Sequence, residues 1–296
     1  MFKAINCIID NEIRESNLDF YSVIIGTNPS RGARSPSLWN KVYAFEKKNI
    51  RMVPLDVRQE NLEELFNHLK HDRQCLGGAV AFPYKEKIFN LIKDNVDEEI
   101  KSVGAVNCFY RPTTGSLIDG FTGTNTDGEA ALEPLKGYLE QNPDLTIGLL
   151  GFGGAGKAIV AFLVKDFKNK HRILIFNRSP INTKAAKIVG LDTYLLDDLD
   201  RFLPQFDLLI NATSVGQVES SYASPVATKL LTQAKKTLII YDIIYDPIKT
   251  ALLKSSEKIG LRTINGLRMN LVQAVLAYRY TNFTNLSIEK IYQTMK

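Results

Sequence analysis

Gly151-Phe152-Gly153-Gly154-Ala155-Gly156-Lys157-Ala158 decides how this chain folds. The stretch follows the apolar run Thr146–Leu150 and leads into Ala155–Phe167, whose apolar residues recur at helical period. Glycines at 151, 153 and 156 match G-x-G-x-x-G. That pattern makes a tight strand-to-helix turn, lets backbone approach a pyrophosphate, and faces the helix N–H groups towards the anion. A merely tight turn would also accept three glycines. The strand before, the helix after and a second strand at Arg172–Phe176 favour a dinucleotide site. Gly151, Gly153, Gly154, Ala155 and Gly156 are its candidate residues.

The second strand ends in Asn177-Arg178-Ser179. An NAD site places Asp or Glu here for the ribose hydroxyls, whereas a 2′-phosphate calls for a cation and small hydroxyl or amide donors. No acid stands here, Arg178 does, and Lys184 follows closely enough to add a second charge. The alternative for Arg178 is a solvated surface arginine. NADP(H) is the expected cofactor, bound in part by Asn177, Arg178 and Ser179.

Outward from this unit, short β-branched runs alternate with helical segments. Strands are expected at Tyr21–Ile25, Arg51–Leu55, Gly78–Ala81, Asp207–Asn211 and Thr237–Asp242. Helices are expected at Ser35–Lys48, Asn61–His71, Asp127–Glu140 and Ile248–Lys258, the second with Asn61 as N-cap and Glu64 three residues on. The alternation predicts βαβ units and parallel sheets in an α/β fold. Gly120, Gly123 and the polar run Thr122–Asp127 mark a boundary, so the chain divides into 1–123 and 124–266. Arg268–Arg279 and Ser287–Met295 read as closing helices within 267–296, with no strand after them.

The length of 296 residues suggests two domains at roughly 150 residues each. With 45% hydrophobic and 23% charged residues, the composition excludes a disordered, collagenous or disulfide-scaffold protein. The formal charge of +5 is scattered, which gives nucleic-acid binding no support. Cys7, Cys75 and Cys108 share no metal-ligand spacing, so no metal is expected, and an odd number of distant cysteines fits a reducing cytoplasm. No apolar stretch approaches the ~20 residues of a membrane helix, and no membrane anchor is expected.

A dinucleotide domain announces redox chemistry without naming a substrate, so the first half must supply the proton donor or acceptor. Its best candidate is Lys85, in Ala81-Phe82-Pro83-Tyr84-Lys85, at the carboxyl edge of a strand, where ligands bind in open α/β folds. Most lysines, however, are merely solvated. The surrounding motifs are more specific. Ile25-Gly26 with Pro29 and Ser35-Pro36, Pro83-Tyr84-Lys85, Ala105-Val106-Asn107, Gly123 with Asn125-Thr126-Asp127-Gly128, and the glycine loop occur in order. They are followed by Asn177-Arg178-Ser179, Asn211-Ala212-Thr213-Ser214-Val215-Gly216, Asp242 with Tyr245, Pro247 and Thr250, then Gly266, Met269 and Gln273.

Together these stretches resemble the shikimate dehydrogenase family across most of the chain. The resemblance implies an N-terminal α/β substrate domain, a C-terminal Rossmann NADP-binding domain, and closing helices that return to the substrate domain. It implies that Lys85 and Asp127 form a catalytic pair at the hydroxyl that becomes a carbonyl, the alternative being a structural ion pair. It places Ser35, Asn107, Tyr245 and Gln273 at the substrate, and Thr213, Ser214 and Met269 at the cofactor. Asn107 and Gln273 could instead be structural amides, and Tyr245 and Met269 core filler.

Three positions depart from the family pattern. Ala33 stands where the first serine of the substrate motif is usual, and Ala79 and Ala81 stand in place of two polar pocket residues. There is also an extra residue between Gly26 and Pro29, and Arg31 and Arg34 flank the site as possible carboxylate ligands. The expectation is therefore a shikimate-dehydrogenase-like oxidoreductase, a monomer or homodimer acting on a small cyclic hydroxy acid. Alternatives are a quinate or other divergent-substrate dehydrogenase, or a catalytically weak NADP-binding sensor.

Overall fold

The computed structural model describes residues 2–112, 120–167, 169–180, 191–217 and 222–296. They divide into two compact units, 1–126 with 271–296, and 127–270. The helix Leu267–Thr281 belongs partly to each.

The first unit holds a sheet of β1 (Phe20–Gly26), β2 (Ile50–Asp56), β3 (Cys75–Val80), β4 (Cys108–Tyr110) and β5 (Thr122–Thr124), in the order β2-β1-β3-β4-β5. β2, β1 and β3 are parallel, while β3–β4 and β4–β5 are antiparallel. The all-parallel expectation fails here for a physical reason. β4 and β5 are three residues long, too short to carry a period-two pattern, and each closes the edge by running back along its neighbour.

Alternation along β1 sends Val23 and Ile25 to one face and Ile24 to the other. Val23 and Ile25 pack with Leu65, Phe66 and Leu69 of the helix Leu62–His71 and with Ile88 and Ile92 of the helix Lys85–Ile92. Ile24 packs with Leu38, Trp39 and Val42 of the helix Ser35–Phe45 and with Leu271, Ala274, Val275 and Tyr278 of the closing helix. The Trp39 indole N–H donates to the Ala274 carbonyl at 3.1 Å and pins that helix. Both faces are thus covered, which is why β1 reads as a continuous apolar run.

The second unit holds β6 (Thr146–Leu150), β7 (Arg172–Asn177), β8 (Asp192–Leu195), β9 (Leu208–Asn211), β10 (Ile239–Asp242) and β11 (Arg262–Ile264), all parallel. Their order is β11-β10-β9-β6-β7-β8. Strand order reverses between β6 and β9, so the loops after these strands flank the crevice where doubly wound sheets take ligands.

Helix boundaries differ from the sequence reading, the expected Ser35–Lys48 helix for one ending at Phe45, and three of the differences have a visible cause. The helix expected over Asp127–Glu140 is broken into Asp127–Leu132, a 3-10 turn at Glu133–Leu135 and Lys136–Gln141, because Pro134 has no N–H to continue the ladder. Asn61 does not cap its helix. It ends a 3-10 turn, Gln59–Asn61, and its side-chain amide donates to the Ile8 carbonyl instead. The segment from Ile248 becomes helical only at Ala251, where Thr250 caps it by accepting the Leu253 N–H.

Candidate active site

The glycine loop lies where β6 ends. Gly151 has φ +92°, a backbone state that disfavours a side chain, and a Cβ at Gly156 would sit 2.1 Å from the Gly151 carbonyl oxygen. Gly154 opens the helix Gly154–Phe167. A Cβ at Gly153 would meet no protein atom within 4 Å, so the turn leaves open space at that helix N-terminus. Open space and the N-terminus of a 14-residue helix fit a pyrophosphate.

Asn177 is occupied in building this loop. Its Oδ1 accepts the Phe152 N–H at 3.3 Å and its Nδ2 donates to the Ser179 carbonyl at 3.0 Å, tying the β6 and β7 loops together. Arg178 and Ser179 are exposed beyond it, with no acid between Asn177 and Pro180. That donor set fits a ribose 2′-phosphate. Lys184 lies outside the described residues.

A buried carboxylate that sequence reasoning left without a role fixes the opposite wall. Asp242, fully buried at the end of β10, stands in register with Asn211 at the end of β9. Its Oδ1 accepts from Asn211 Nδ2 at 3.0 Å and the Ile244 N–H at 3.2 Å, and its Oδ2 accepts from the Thr250 hydroxyl at 2.7 Å. Asn211 Oδ1 in turn accepts from the Thr213 N–H at 3.0 Å and hydroxyl at 2.7 Å. Thr213 meets the glycine loop, since a Cβ on Gly151 would lie 2.9 Å from its Cγ2. Burial pushes the Asp242 carboxyl up to about 6, against the opposing pull of its Thr250, Ile244 and Asn211 hydrogen bonds. Ser214 is exposed beside Thr213. Met269 is buried and Tyr245 half-buried, both in this second unit.

In the first unit Lys85 begins the helix Lys85–Ile92 and is half-buried. Its carbonyl accepts the Val106 N–H at 3.0 Å, and the preceding Tyr84 donates its hydroxyl to the Val57 carbonyl at 2.7 Å, so the turn after β3 is anchored on both sides. Asp127 is buried as the first residue of the second unit.

Asn107 and Gln273 come together through Thr126, which lies in the Asn125–Gly128 motif but had no role from the sequence. Asn107 Oδ1 accepts the Thr126 N–H at 2.9 Å, and its Nδ2 donates to the Thr126 hydroxyl at 2.9 Å and to Gln273 Oε1 at 3.5 Å. The Thr126 hydroxyl donates to the Gln273 carbonyl at 3.1 Å. Ser35 is buried at the start of its helix. Ala79 lies in the apolar cluster of Ile24, Trp39 and Ala274, and Ala33 and Ala81 pack against the same cluster. The loop carrying Arg31 and Arg34 is held by Ser30, whose N–H donates to Asp56 at 2.8 Å and whose hydroxyl bonds the same carboxylate.

Residues 24–109 match the model of the shikimate dehydrogenase substrate binding domain, within the first unit. Over 295 residues the chain is 31% identical to a shikimate dehydrogenase (NADP(+)) of Methanococcus vannielii, an alignment covering 94% of this chain and 99% of that protein. The chain belongs to the shikimate dehydrogenase family. A shikimate dehydrogenase solved in complex with NADP+ matches at a TM-score of 0.77 and 26% identity, covering 96% of this chain and 98% of the other. One from Aquifex aeolicus matches at 0.78 and 26%, covering 96% and 100%. The fold is the family's: an N-terminal α/β substrate domain and a C-terminal Rossmann-like NADP-binding domain.

Proposed function

We propose that this protein is an NADP-dependent oxidoreductase interconverting a secondary alcohol and a ketone on a small hydroxylated cyclic carboxylic acid, with shikimate the leading single candidate. The observation that carries the reading is the glycine loop at the switch between β6 and β9, with Arg178 after β7, in a chain of this family. Residues 1–123 with 267–296 bind the substrate and 124–266 the cofactor, supported by the compact units 1–126 with 271–296 and 127–270.

Held by the glycine loop and Arg178, a bound NADP(H) would supply hydride transfer at the carbinol carbon of the acid. Lys85 takes the hydroxyl proton in oxidation and gives it back in reduction, and the Asp127 carboxylate supports the charge on the lysine. Ser35, Asn107, Tyr245 and Gln273 hold the acid. Gly151, Gly153, Gly154, Ala155 and Gly156 receive the pyrophosphate. Arg178 and Ser179, braced by Asn177, hold the 2′-phosphate, while Thr213, Ser214 and Met269 line the rest of the cofactor. The free thiols Cys75 and Cys108 support a cytoplasmic setting, and the protein acts as a monomer or homodimer with no nucleic-acid partner.

The apolar setting of Ala33, Ala79 and Ala81 favours a second reading within the same chemistry, a substrate other than shikimate such as quinate. A panel of cyclic hydroxy acids followed by NADPH absorbance tests both. Tight NADPH binding with turnover of none of them would replace the enzyme with an NADP-binding sensor.

A further inference from the structure

We infer that Thr126 is a positioning residue for substrate, its backbone N–H setting which way the Asn107 amide faces and its hydroxyl holding both that amide's Nδ2 and the helix turn that carries Gln273. The inference rests on the reading that these two amides hold the acid.

Asn107 and Thr126 are 2% and 3% exposed, so their polar atoms must be matched within the protein. A side-chain amide has two ends of similar shape, and which end faces the ligand depends on its partners. Here the Thr126 backbone N–H donates to Asn107 Oδ1 at 2.9 Å, which turns Nδ2 towards the Thr126 hydroxyl and Gln273 Oε1. The Asn107 backbone is itself held in the sheet, its carbonyl accepting the Val80 N–H at 2.7 Å and its N–H donating to the Thr124 carbonyl at 3.2 Å. The Thr126 hydroxyl accepts from Asn107 Nδ2, and its own proton faces two acceptors, the nearer Gln273 carbonyl at 3.1 Å and Asn107 Oδ1 at 3.3 Å. The backbone N–H therefore orients the Asn107 amide, while the hydroxyl holds its Nδ2 and the helix turn that presents Gln273. A methyl group in place of the hydroxyl would strand a buried N–H of Asn107 and release the Gln273 turn.

The test compares Thr126→Val, Thr126→Ala and Thr126→Ser in the full chain, with Asn107→Ala and Gln273→Ala alongside and shikimate as the probe acid. Thr126→Val and Thr126→Ala, which lose the hydroxyl, raise the KM for shikimate roughly tenfold, and Thr126→Ser restores it. The dissociation constant for NADPH, read by fluorescence titration, stays within twofold of wild type, whereas a merely structural role would move NADPH affinity and the unfolding temperature together with KM. If Asn107→Ala raises KM and both hydroxyl-free variants leave it unchanged, the inference is overturned and the reading stands. If Asn107→Ala and Gln273→Ala leave KM unchanged, the reading falls and the inference with it.

Discussion

Replacing Asp242 with Asn should change how stability depends on pH. The carboxyl is fully buried and pushed from an ordinary 3.8 to about 6. A carboxyl raised in the folded state binds its proton more tightly there than in the unfolded chain, so folding is favoured below pH 4 and the advantage is lost as pH rises through about 6. The displacement of about 2 pH units corresponds to about 3 kcal/mol, of which about 1 is already lost at pH 4.5 and about 2 more by pH 7. Asparagine cannot ionise and keeps an oxygen for Asn211 Nδ2 and the Ile244 N–H, while its amide N–H can donate to the Thr250 hydroxyl. Subtracting the urea-unfolding free energy of wild type from that of Asp242→Asn cancels every other titrating group. The difference should grow in favour of the variant by about 2 kcal/mol between pH 4.5 and 7. Whatever fixed cost the amide carries drops out of that slope. A difference constant with pH, or one that grows in favour of wild type, would refute the argument from burial.

Arg178→Ala should weaken NADPH by about 10–100-fold while leaving NADH nearly unchanged, because a charge-assisted contact is worth about 1.5–3 kcal/mol; equal use of the two cofactors by wild type would count against it. Lys85→Ala and Asp127→Asn should each lower kcat by about 10²–10⁴-fold with NADPH binding intact, and near-normal turnover in either would remove the paired mechanism. Wild type should turn over shikimate with a high KM, and Ala33→Ser with Ala81→Thr should lower that KM by about 10–1000-fold in steady-state kinetics. A micromolar KM in wild type would mean that other groups, Arg31 or Arg34 among them, hold the carboxylate.

What could be read from the chain alone follows from what short stretches can encode. β1, β6, β7, β9 and β10 carry dense β-branched runs because the parallel sheet is covered on both faces, and each was legible as a strand. β4, β5, β8 and β11 have three or four residues and exist because a neighbour offers its edge, a tertiary fact with no local signature. The same division holds in the site. The glycine loop is contiguous and its geometry follows from its spacing. The Thr126 and Asp242 networks join residues 19, 31 and 147 positions apart, so nothing near either residue announces its partners. Asn177 stands at the end of β7, where its position suggests a cofactor contact, and its amide also ties Phe152 to Ser179, a pairing only the two loops together reveal.

The three alanines connect substrate selectivity to the packing of the first unit. Ala79 in β3 and Ala81 just beyond its end both pack with the apolar cluster to which the closing helix contributes Leu271, Ala274 and Val275. That helix also carries Gln273. A methyl on this face adds to the apolar cluster with Ile24, Trp39 and Ala274, where an unmatched hydroxyl would cost about 1–3 kcal/mol on burial. The methyl groups therefore strengthen the seat of the helix, and on the proposed reading they leave fewer polar groups for the acid. Apolar walls reject an added or missing hydroxyl only weakly, whereas a site built of donors rejects it strongly. On the proposed reading, discrimination among cyclic acids falls on Ser35, Asn107, Tyr245 and Gln273, and Thr126 hydrogen-bonds both Asn107 and the Gln273 carbonyl. Such a site should keep the acid–base role proposed for Lys85 and Asp127 across a broader range of acids, with lower affinity for the most hydroxylated among them.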